Sequence, residues 1–319
     1  MTAPVAERAK EKLSSDPAPV AGASKAEKLV KPKANRPKLN SRLYTLGSVL
    51  VVVVLAGLWQ LVGIIDTREV RPGQPFFPGW QIVLTDTVTG LADYWRGGLG
   101  VESVSAGGER TYIGGLLAIV SHGWDTMMRI IAGLLIGAVI GSLVALVVSG
   151  SVWGRRLFAM PTAFLRTFPL LGLIPMFQLW FGTAFAGAVT FIAVAVGVIF
   201  FTGVVNAVAN VDAIYVQNAK TLGARPIRTY VTVVLPSILP EMRSTIQLSL
   251  AMAWTAAIAS EFVGAQSGLG YIVTHARYFG FVDRMFLIGI VVVIMASLTY
   301  YLVSRVTKRL VVWMPDAQG

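Results

Sequence analysis

Long apolar segments separated by shorter polar ones are the dominant pattern of this sequence. Six of these segments are about 20 residues long. An α-helix of that length, rising about 1.5 Å per residue, crosses a hydrocarbon core of about 30 Å. The segments cover residues 46–65, 128–148, 157–181, 186–208, 242–263 and 285–306. The pattern therefore predicts an all-α integral membrane protein with about six transmembrane helices.

The apolar segments lie within residues 43–314, which we expect to form the transmembrane domain. Residues 1–42 are rich in Ala, Lys, Glu, Pro and Ser and have no apolar period, so they are predicted to form a disordered basic tail. A secretory signal is not expected, because the apolar run begins only near Leu43 and has no convincing small-residue cleavage site.

The loop of residues 66–123 joins the first two predicted spans. It contains several prolines at its start and a glycine-rich stretch, residues 97–115, towards its end. Between these, residues 82–95 are compatible with a short amphipathic helix. Residues 114–120 are apolar but too short to cross a membrane, so the second span is expected to begin only near residue 128.

Two of the predicted spans carry residues that are unusual in a simple helix. The second span has a glycine at every fourth position, and such a face allows helix backbones to approach closely in a bilayer. The third span contains three prolines, which are tolerated where a helix is buried in a bundle or lines a cavity. These residues are Gly133, Gly137 and Gly141 in the second span and Pro161, Pro169 and Pro175 in the third.

The composition supports the membrane assignment and excludes several kinds of chemistry. Hydrophobic residues make up 55% of the chain and charged residues only 13%, whereas a soluble domain has about 25% charged residues. Cysteine is absent, which excludes disulfides, thiolate catalysis and cysteine metal sites. The two histidines, His122 and His275, are far apart in the sequence. We therefore predict no metal site and no catalytic residue.

The formal net charge of +11 is distributed as expected of a membrane protein. Residues 1–44 contain ten basic and four acidic residues, and the loop of residues 66–123 contains four basic and six acidic residues. Basic residues are retained on the cytoplasmic side of a bilayer. The sequence therefore predicts that both termini are cytoplasmic, that residues 66–123 are external and that the basic charge does not serve nucleic-acid binding.

The polar residues 209–238 interrupt the apolar segments of the second half of the chain, again with basic residues that predict a cytoplasmic location. Within them, residues 217–236 are helix-prone. They are punctuated by Gly223 and Pro226 and are expected to end at Pro236, which suggests two short helices lying flat at the membrane surface. Such a segment suits docking to a soluble partner. An ordinary interfacial helix is the alternative.

Residues 217–236 resemble a segment of the permease subunits of bacterial ABC importers. Their cytoplasmic motif reads Glu-Ala-Ala, three residues, Gly, nine residues, Ile, one residue, Leu-Pro. The corresponding positions here are Gln217, Asn218, Ala219, Gly223, Val233, Leu235 and Pro236. The stretch Lys-Thr-Leu-Gly-Ala at residues 220–224 is also similar to the family's usual Arg-Thr-Leu-Gly-Ala. One departure is Gln217, which removes a charge from the expected docking surface.

Further stretches between residues 120 and 310 resemble the nitrate, sulfonate and taurine branch of these permeases. They are residues 129–133, 165–169, 174–175, 180–182, 259–261 and 268–271. The loop of residues 96–116 is longer and richer in glycine than is usual for the branch. The resemblance implies a type I importer fold in the bacterial inner membrane. The solute would be a small organic or inorganic anion, whose identity the sequence does not determine.

The resemblance also implies partners. Two copies of the chain would form the pathway, two separate subunits would bind ATP and magnesium, and an external solute-binding protein would deliver the solute. The sequence contains no Gly-x-x-x-x-Gly-Lys-Ser/Thr loop, so the chain itself is expected to bind no cofactor. The residues expected to dock the ATPase are Gln217, Asn218, Ala219, Lys220, Gly223, Ala224, Arg225, Leu235 and Pro236.

A second set of residues is expected to line the pathway or an external gate. Glu261 is included because ionisable residues in a span are costly and usually functional. Each member also has a structural alternative, such as packing for the apolar residues and pairing with Arg277 or Arg284 for Glu261. Arg129 could attract an anionic solute, but a structural role is favoured because the residue opens a span. The set is Met160, Phe164, Arg166, Phe168, Met176, Glu261, Gly268 and Tyr271.

Two other functional classes are considered. A secondary carrier or channel would not need ATP, but carriers usually bury several ionisable residues at the membrane midplane, and Glu261 and Arg166 are the only candidates here. An intramembrane hydrolase could be imagined from Ser267 and His275, because a serine nucleophile needs a base within hydrogen-bond reach. That pair has no obvious orienting group in the sequence.

Overall fold

The computed structural model describes residues 41–167 and 169–310, which are predominantly α-helical. The predicted tail of residues 1–42 falls outside this range except for its last two residues, as do Phe168 and the end of the predicted transmembrane domain after residue 310. Contacts divide the chain into two units, Met1–Leu55 and Ala56–Gly319.

The described residues form twelve α-helices and one two-stranded antiparallel sheet. The helices are α1 (Ser41–Ile65), α2 (Trp80–Leu84), α3 (Asp86–Gly90), α4 (Tyr112–Ser149), α5 (Val152–Thr167), α6 (Ile174–Phe181), α7 (Phe185–Ala209), α8 (Ala213–Thr221), α9 (Pro226–Thr229), α10 (Leu235–Phe262), α11 (Leu269–Phe279) and α12 (Val282–Leu310). The strands are β1 (Glu69–Arg71) and β2 (Gln74–Pro75). Both lie in the predicted external loop of residues 66–123.

Four helices of the described part are long and apolar enough to cross a membrane. They are Leu46–Ile65, Tyr112–Ser149, Phe185–Ala209 and Val282–Arg309, and they contain the predicted first, second, fourth and sixth spans. Helix α10 contains most of the fifth span and is also long, with 28 residues. It is not among the four, and it has Pro240 inside the helix.

The third predicted span is not one helix. Pro161 lies within α5, but the helical chain stops at Thr167, and a 3-10 turn, Leu170–Leu173, precedes α6. The apolar part that follows, Leu170–Phe181, is shorter than a full span. The break occurs next to Pro169, which has no backbone donor and cannot continue a helix ladder.

The second predicted span is part of a much longer helix. Helix α4 begins at Tyr112, so the apolar residues 114–120 are its first two turns and not a separate segment. Thr111 starts the helix because its side-chain oxygen accepts a hydrogen bond from the Gly114 amide at 3.0 Å.

The predicted glycine face of this helix packs on α7. A Cβ atom on Gly133 would lie 2.5 Å from Ile192 Cγ2, and one on Gly141 would lie 3.0 Å from the Gly197 Cα atom. The α4–α7 pair forms the centre of the main core, together with α6 and α10. The close backbone approach predicted from the glycine spacing is therefore confirmed.

A second, smaller core lies beneath the residues predicted to be external. The expected helix of residues 82–95 is divided into α2, α3 and a 3-10 turn, Leu91–Tyr94. These pieces pack with α11 and the start of α12 around Leu91, Leu269 and Ile288, all of which are fully buried. In the unit that starts at Ala56, Trp59 also stacks on Phe286 at 4.0 Å between ring centroids.

Candidate functional site

The turn between α10 and α11 is fixed by a buried carboxylate. Glu261 is 1% exposed and lies one residue before the end of α10. Its Oε2 atom accepts a hydrogen bond from the Gly270 amide at 2.8 Å, in the first turn of α11. Thr126 of α4 donates its hydroxyl proton to the same carboxylate, with oxygen distances of 2.9 and 3.1 Å. Three helices therefore meet at one side chain.

Arg129 neutralises this carboxylate and holds the turn from the other side. Its Nη1 atom donates to Glu261 Oε1 at 2.6 Å and to the Ser267 carbonyl oxygen at 2.8 Å. Its Nη2 atom donates to the Ser267 hydroxyl at 2.6 Å. The alternative in which Glu261 pairs with Arg277 or Arg284 is therefore wrong. The partner is 132 residues away in the sequence and comes close only because α4 packs along α10.

The glycine at position 268 is required by this geometry. Its φ angle is +107°, a conformation that residues with a Cβ atom rarely adopt. The space where a Cβ atom would stand is occupied by the Glu261 carboxylate. Glycine is therefore required at position 268 by the backbone conformation and by the lack of space for a side chain, and not only by the flexibility of a loop.

His122, for which the sequence predicts no role, completes the network. Its Nδ1 atom accepts a hydrogen bond from the Gly268 amide at 3.0 Å, so the proton belongs on Nε2, which lies 3.1 Å from the Tyr94 carbonyl oxygen. The residues His122, Thr126 and Arg129 are spaced by four and three positions and therefore share one face of α4. That spacing is the sequence signal by which the network could have been found.

Tyr94 links this network to helix α11. Its hydroxyl lies 3.0 Å from His275 Nδ1, and its ring packs edge-on against those of His122 and Tyr271. Burial raises the pKa of the Tyr94 hydroxyl, and desolvation lowers the pKa of His275. Both shifts favour the neutral forms, which suits a hydrogen bond between an uncharged phenol and an uncharged imidazole.

The same contacts remove the basis for the hydrolase alternative. Ser267 accepts a hydrogen bond from Arg129, and His275 contacts the hydroxyl of Tyr94. The two residues thus belong to separate contacts, and neither has the arrangement of a nucleophile and its base. Among the described residues, no group of three or more His, Cys, Asp or Glu side chains could hold a metal ion.

The other predicted pathway residues are not gathered at this site. Met160 and Phe164 lie on α5 and Met176 lies on α6, and all three are exposed in the single chain. The side chain of Arg166 and the whole of Phe168 lie outside the described residues. Glu261, Gly268 and Tyr271 are the members of the set that the structure brings together.

The predicted docking segment begins with a well-formed short helix. Asp212 caps α8 by accepting a hydrogen bond from the Ile214 amide at 3.0 Å. At the other end, Gly223 has a φ angle of +78°. The Ala224 amide donates to the Ala219 carbonyl at 3.0 Å, and the Gly223 amide to the Lys220 carbonyl at 2.9 Å. This pair of bonds is the Schellman motif that glycine favours.

The second half of the segment differs from the expectation. Pro226 opens α9 as its first residue, but the chain then continues through a π-helical stretch, Tyr230–Val234, directly into α10. Pro236 lies in the first turn of α10 and does not end the segment. Pro236 itself has no amide proton, and the Leu235 amide before it donates to the Tyr230 carbonyl, so the helical path continues past the proline. Only the first half is therefore a separate helix, and the second is the beginning of a long one.

None of the residues of α8 is buried. Val216 rests against the main core, whereas Leu222 and Ile227, in and just after the following turn, are 88% and 81% exposed. The basic residues Lys220 and Arg228 lie in the last turns of α8 and α9. The segment therefore offers apolar and basic side chains together on a capped, rigid support.

Comparison with known proteins identifies relatives along most of the chain. The family described as "Binding-protein-dependent transport system inner membrane component" matches residues 133–312. The putative aliphatic sulfonates transport permease protein SsuC of Bacillus subtilis is 29% identical over 202 residues, which are 63% of this chain and 73% of that protein. A probable ABC transporter permease protein of Haemophilus influenzae is 25% identical over 85% of this chain and 98% of its own length.

Two further matches are to a taurine system and to a solved transporter. The taurine transport system permease protein TauC of Escherichia coli is 29% identical over 48% of this chain and 56% of that protein. An inward-facing structure of the MetNI methionine ABC transporter aligns with a TM-score of 0.51 and 21% identity. The alignment covers 58% of this chain and 93% of the matched one. At this level of identity the likeness shows the fold alone.

Proposed function

Because the chain belongs to the family of binding-protein-dependent transport system inner membrane components, we propose that it is coupled to a separate ATPase through the segment of residues 213–229. The chain is a membrane permease of an ABC importer for small solutes. It is not itself the enzyme: ATP and magnesium are held by the partner subunit. Residues 209–238 and both termini lie in the cytoplasm in this proposal.

The observation that carries the proposal is the exposure of α8 and of the turn that follows it. A helix in water normally buries an apolar face against its own chain. Here none of the residues of α8 is buried, and Leu222 and Ile227 project outward. Apolar side chains held this far from the core suit a protein partner that covers them.

The charge of the segment indicates the chemistry of that partner. Lys220, Arg225 and Arg228 are basic, and the nearby position where the family motif has Glu is occupied by the uncharged Gln217. The surface is therefore more positive than the motif alone would make it. An acidic cleft on the ATPase would be complementary, and such complementarity mainly speeds association and sets partner choice.

The rigid support explains how motion could pass to the membrane. The Schellman turn at Gly223 ties α8 to α9, and the unbroken path from α9 through the π-helical stretch into α10 leads to Glu261 at the far end. Movement of α8 would therefore reach the network that holds α11. In this proposal two copies of the chain form the pathway, an external binding protein delivers the solute, and the solute is a small organic or inorganic anion.

The test is co-purification of the full-length chain with its candidate ATPase. We expect the ATPase to be retained by the wild type and by Lys308→Glu, which reverses an exposed basic charge at the end of α12. It should be lost from Leu222→Glu, which changes an exposed side chain, and from Gly223→Pro, because proline cannot adopt a φ angle of +78°. Retention by Leu222→Glu to the same extent as by Lys308→Glu would contradict the docking surface.

A further inference from the structure

A cavity of about 480 Å³, lined by both polar and apolar side chains, adjoins the Glu261 network. It lies between α4, the turn that precedes α7 and the turn that joins α10 to α11, with Arg96 contributed by the predicted external loop. Volumes of this order accommodate small molecules. Its wall includes Arg96, Trp124, Asp125, Arg129, Thr183 and Ser267.

The charged side chains that line this cavity are predominantly positive. Arg96 and Arg129 both line it, and Asp125 is the one acidic residue among the lining residues. Asp125 is already paired with the Arg96 guanidinium. Glu261, which pairs with Arg129, is not part of the wall, and its side chain has no exposed surface. The wall therefore presents two guanidinium groups and one carboxylate to a ligand, and each guanidinium is already paired with a carboxylate.

The N-terminus of α7 forms a second positive feature of the wall. Thr183, Ala184 and Phe185 line the cavity at the point where this 25-residue helix begins. Ala184 is the N-cap residue and has no side chain that could accept a hydrogen bond from the first-turn amides. Uncapped N-terminal amides and the helix dipole together favour an anion.

Arg129 supplies an independent indication of a missing partner. The residue is 5% exposed, and its two terminal nitrogens are used by Glu261 and Ser267. Its Nε–H group has no hydrogen-bond acceptor among the described residues. A buried donor left without an acceptor costs about 1–3 kcal/mol. An oxyanion is the kind of group that guanidinium donors bind best.

We propose that this cavity binds the oxyanion group of a small solute, of the sulfonate or carboxylate type, on the external side of the permease. The recognising groups are Arg96, Arg129 and the N-terminal amides of α7. The inference rests on the proposed function in that the ligand is taken to be the transported solute. The binding site itself is defined by the cavity and does not depend on the ATPase.

The experiment measures equilibrium binding of radiolabelled methanesulfonate to the full-length chain in lipid nanodiscs. Dimethyl sulfone, which has a similar shape but no charge, serves as competitor. The variant is Arg96→Gln, and the matched control is Arg110→Gln. Both arginines lie in the external loop and pair with an aspartate, and their side chains are 53% and 60% exposed. Only Arg96 lines the cavity, because Arg110 pairs with Asp93 elsewhere.

We expect saturable methanesulfonate binding by the wild type and by Arg110→Gln, and binding weaker by about tenfold or more in Arg96→Gln, because a charge-assisted hydrogen bond is lost. Dimethyl sulfone should not compete. Absence of saturable binding, competition by dimethyl sulfone, or equal affinity of Arg96→Gln and the wild type would each overturn the proposal.

The failure of this proposal can be told apart from the failure of the proposed function. Arg96 lies in the external loop, far along the chain from α8, so Arg96→Gln should co-purify with the ATPase as the wild type does. If the ATPase is retained and methanesulfonate does not bind, the cavity is not an oxyanion site and the permease assignment stands. If methanesulfonate binds and no ATPase is retained, the coupling proposal fails and the site stands.

Discussion

At the residue scale, the ion pair between Glu261 and Arg129 decides how α4, α10 and α11 meet. Both side chains are almost completely buried. The pair is stabilising only because each partner is present, since a buried charge that loses its partner is left without compensation. The extra donors from Thr126 and Gly270 satisfy the carboxylate further. We therefore assign the pair a structural role. The sequence analysis favours that role for Arg129 and includes it among the alternatives for Glu261.

Removing one partner should be far more costly than removing both. Arg129→Met is expected to destabilise the protein by about 3–5 kcal/mol, because it leaves the Glu261 carboxylate buried and unpaired. Adding Glu261→Gln should recover a large part of that loss. The measurement is thermal unfolding of the purified chain, with the exposed pair Arg110–Asp93 as the comparison, for which Arg110→Met should cost about 0–1 kcal/mol. Equal losses for Arg129→Met and Arg110→Met would show that the buried pair is not structural.

Part of this network could be predicted from the sequence, and part of it could not. Glu261 stood out because an ionisable residue in a span is rare, and Gly268 stood out as a flexible position. Arg277 and Arg284 are the alternative partners for Glu261 that the sequence indicates, because they are close along the chain, whereas Arg129 becomes close only through helix packing. The hydrogen-bond partners of His122 are a backbone carbonyl and a backbone amide, which a sequence does not reveal, so its spacing from Thr126 and Arg129 is the one sequence signal of its role.

At the element scale, the α4–α7 pair is the contact on which the main core depends. The glycine ladder of α4 brings the two backbones together, and a Cβ atom on Gly137 would lie 2.9 Å from Val196 Cβ and 3.0 Å from the Gly197 amide nitrogen. Backbone atoms cannot move aside as the end of a side chain can. A larger residue therefore has to separate the helices.

A leucine at this position should prevent the two helices from closing. Gly137→Leu is expected to lose more than the 1–3 kcal/mol or so typical of an overpacked core, and to give little monodisperse protein in size-exclusion chromatography. The control is Gly289→Leu on α12, which adds the same side chain where no atom lies within 4 Å. The control should elute as the wild type does. Normal behaviour of Gly137→Leu would contradict the close packing.

Element boundaries could be predicted less well than element positions. The length of the apolar segments correctly locates four spans. It predicts too late a start for α4, because residues 114–120 are too short to span a membrane alone but form the first turns of a longer helix. The three prolines of the third predicted span indicate a break in the helix. They do not determine its position, because α5 continues through Pro161 and stops at Thr167. The π-helical stretch before α10 has no known sequence signal in this chain.

At the scale of the whole molecule, the two candidate sites lie at opposite ends of one continuous helical path. The segment of residues 213–229 leads through Tyr230–Val234 into α10, and α10 ends at the Glu261 network beside the cavity. A rigid helix is the simplest element by which a change at one end can reach the other. In the proposed function, an ATPase bound at α8 acts through this path.

The most direct test of that claim uses the absence of cysteine from the chain. Leu222→Cys introduces a single thiol at a side chain that is 88% exposed in the turn after α8. Leu99→Cys introduces one at an 84% exposed position in the predicted external loop. In membranes that contain the ATPase, a short thiol-reactive photocrosslinker on residue 222 should join the two proteins, and the same reagent on residue 99 should not. No crosslink from residue 222, or labelling of that residue by an impermeant thiol reagent applied outside intact cells, would contradict the account.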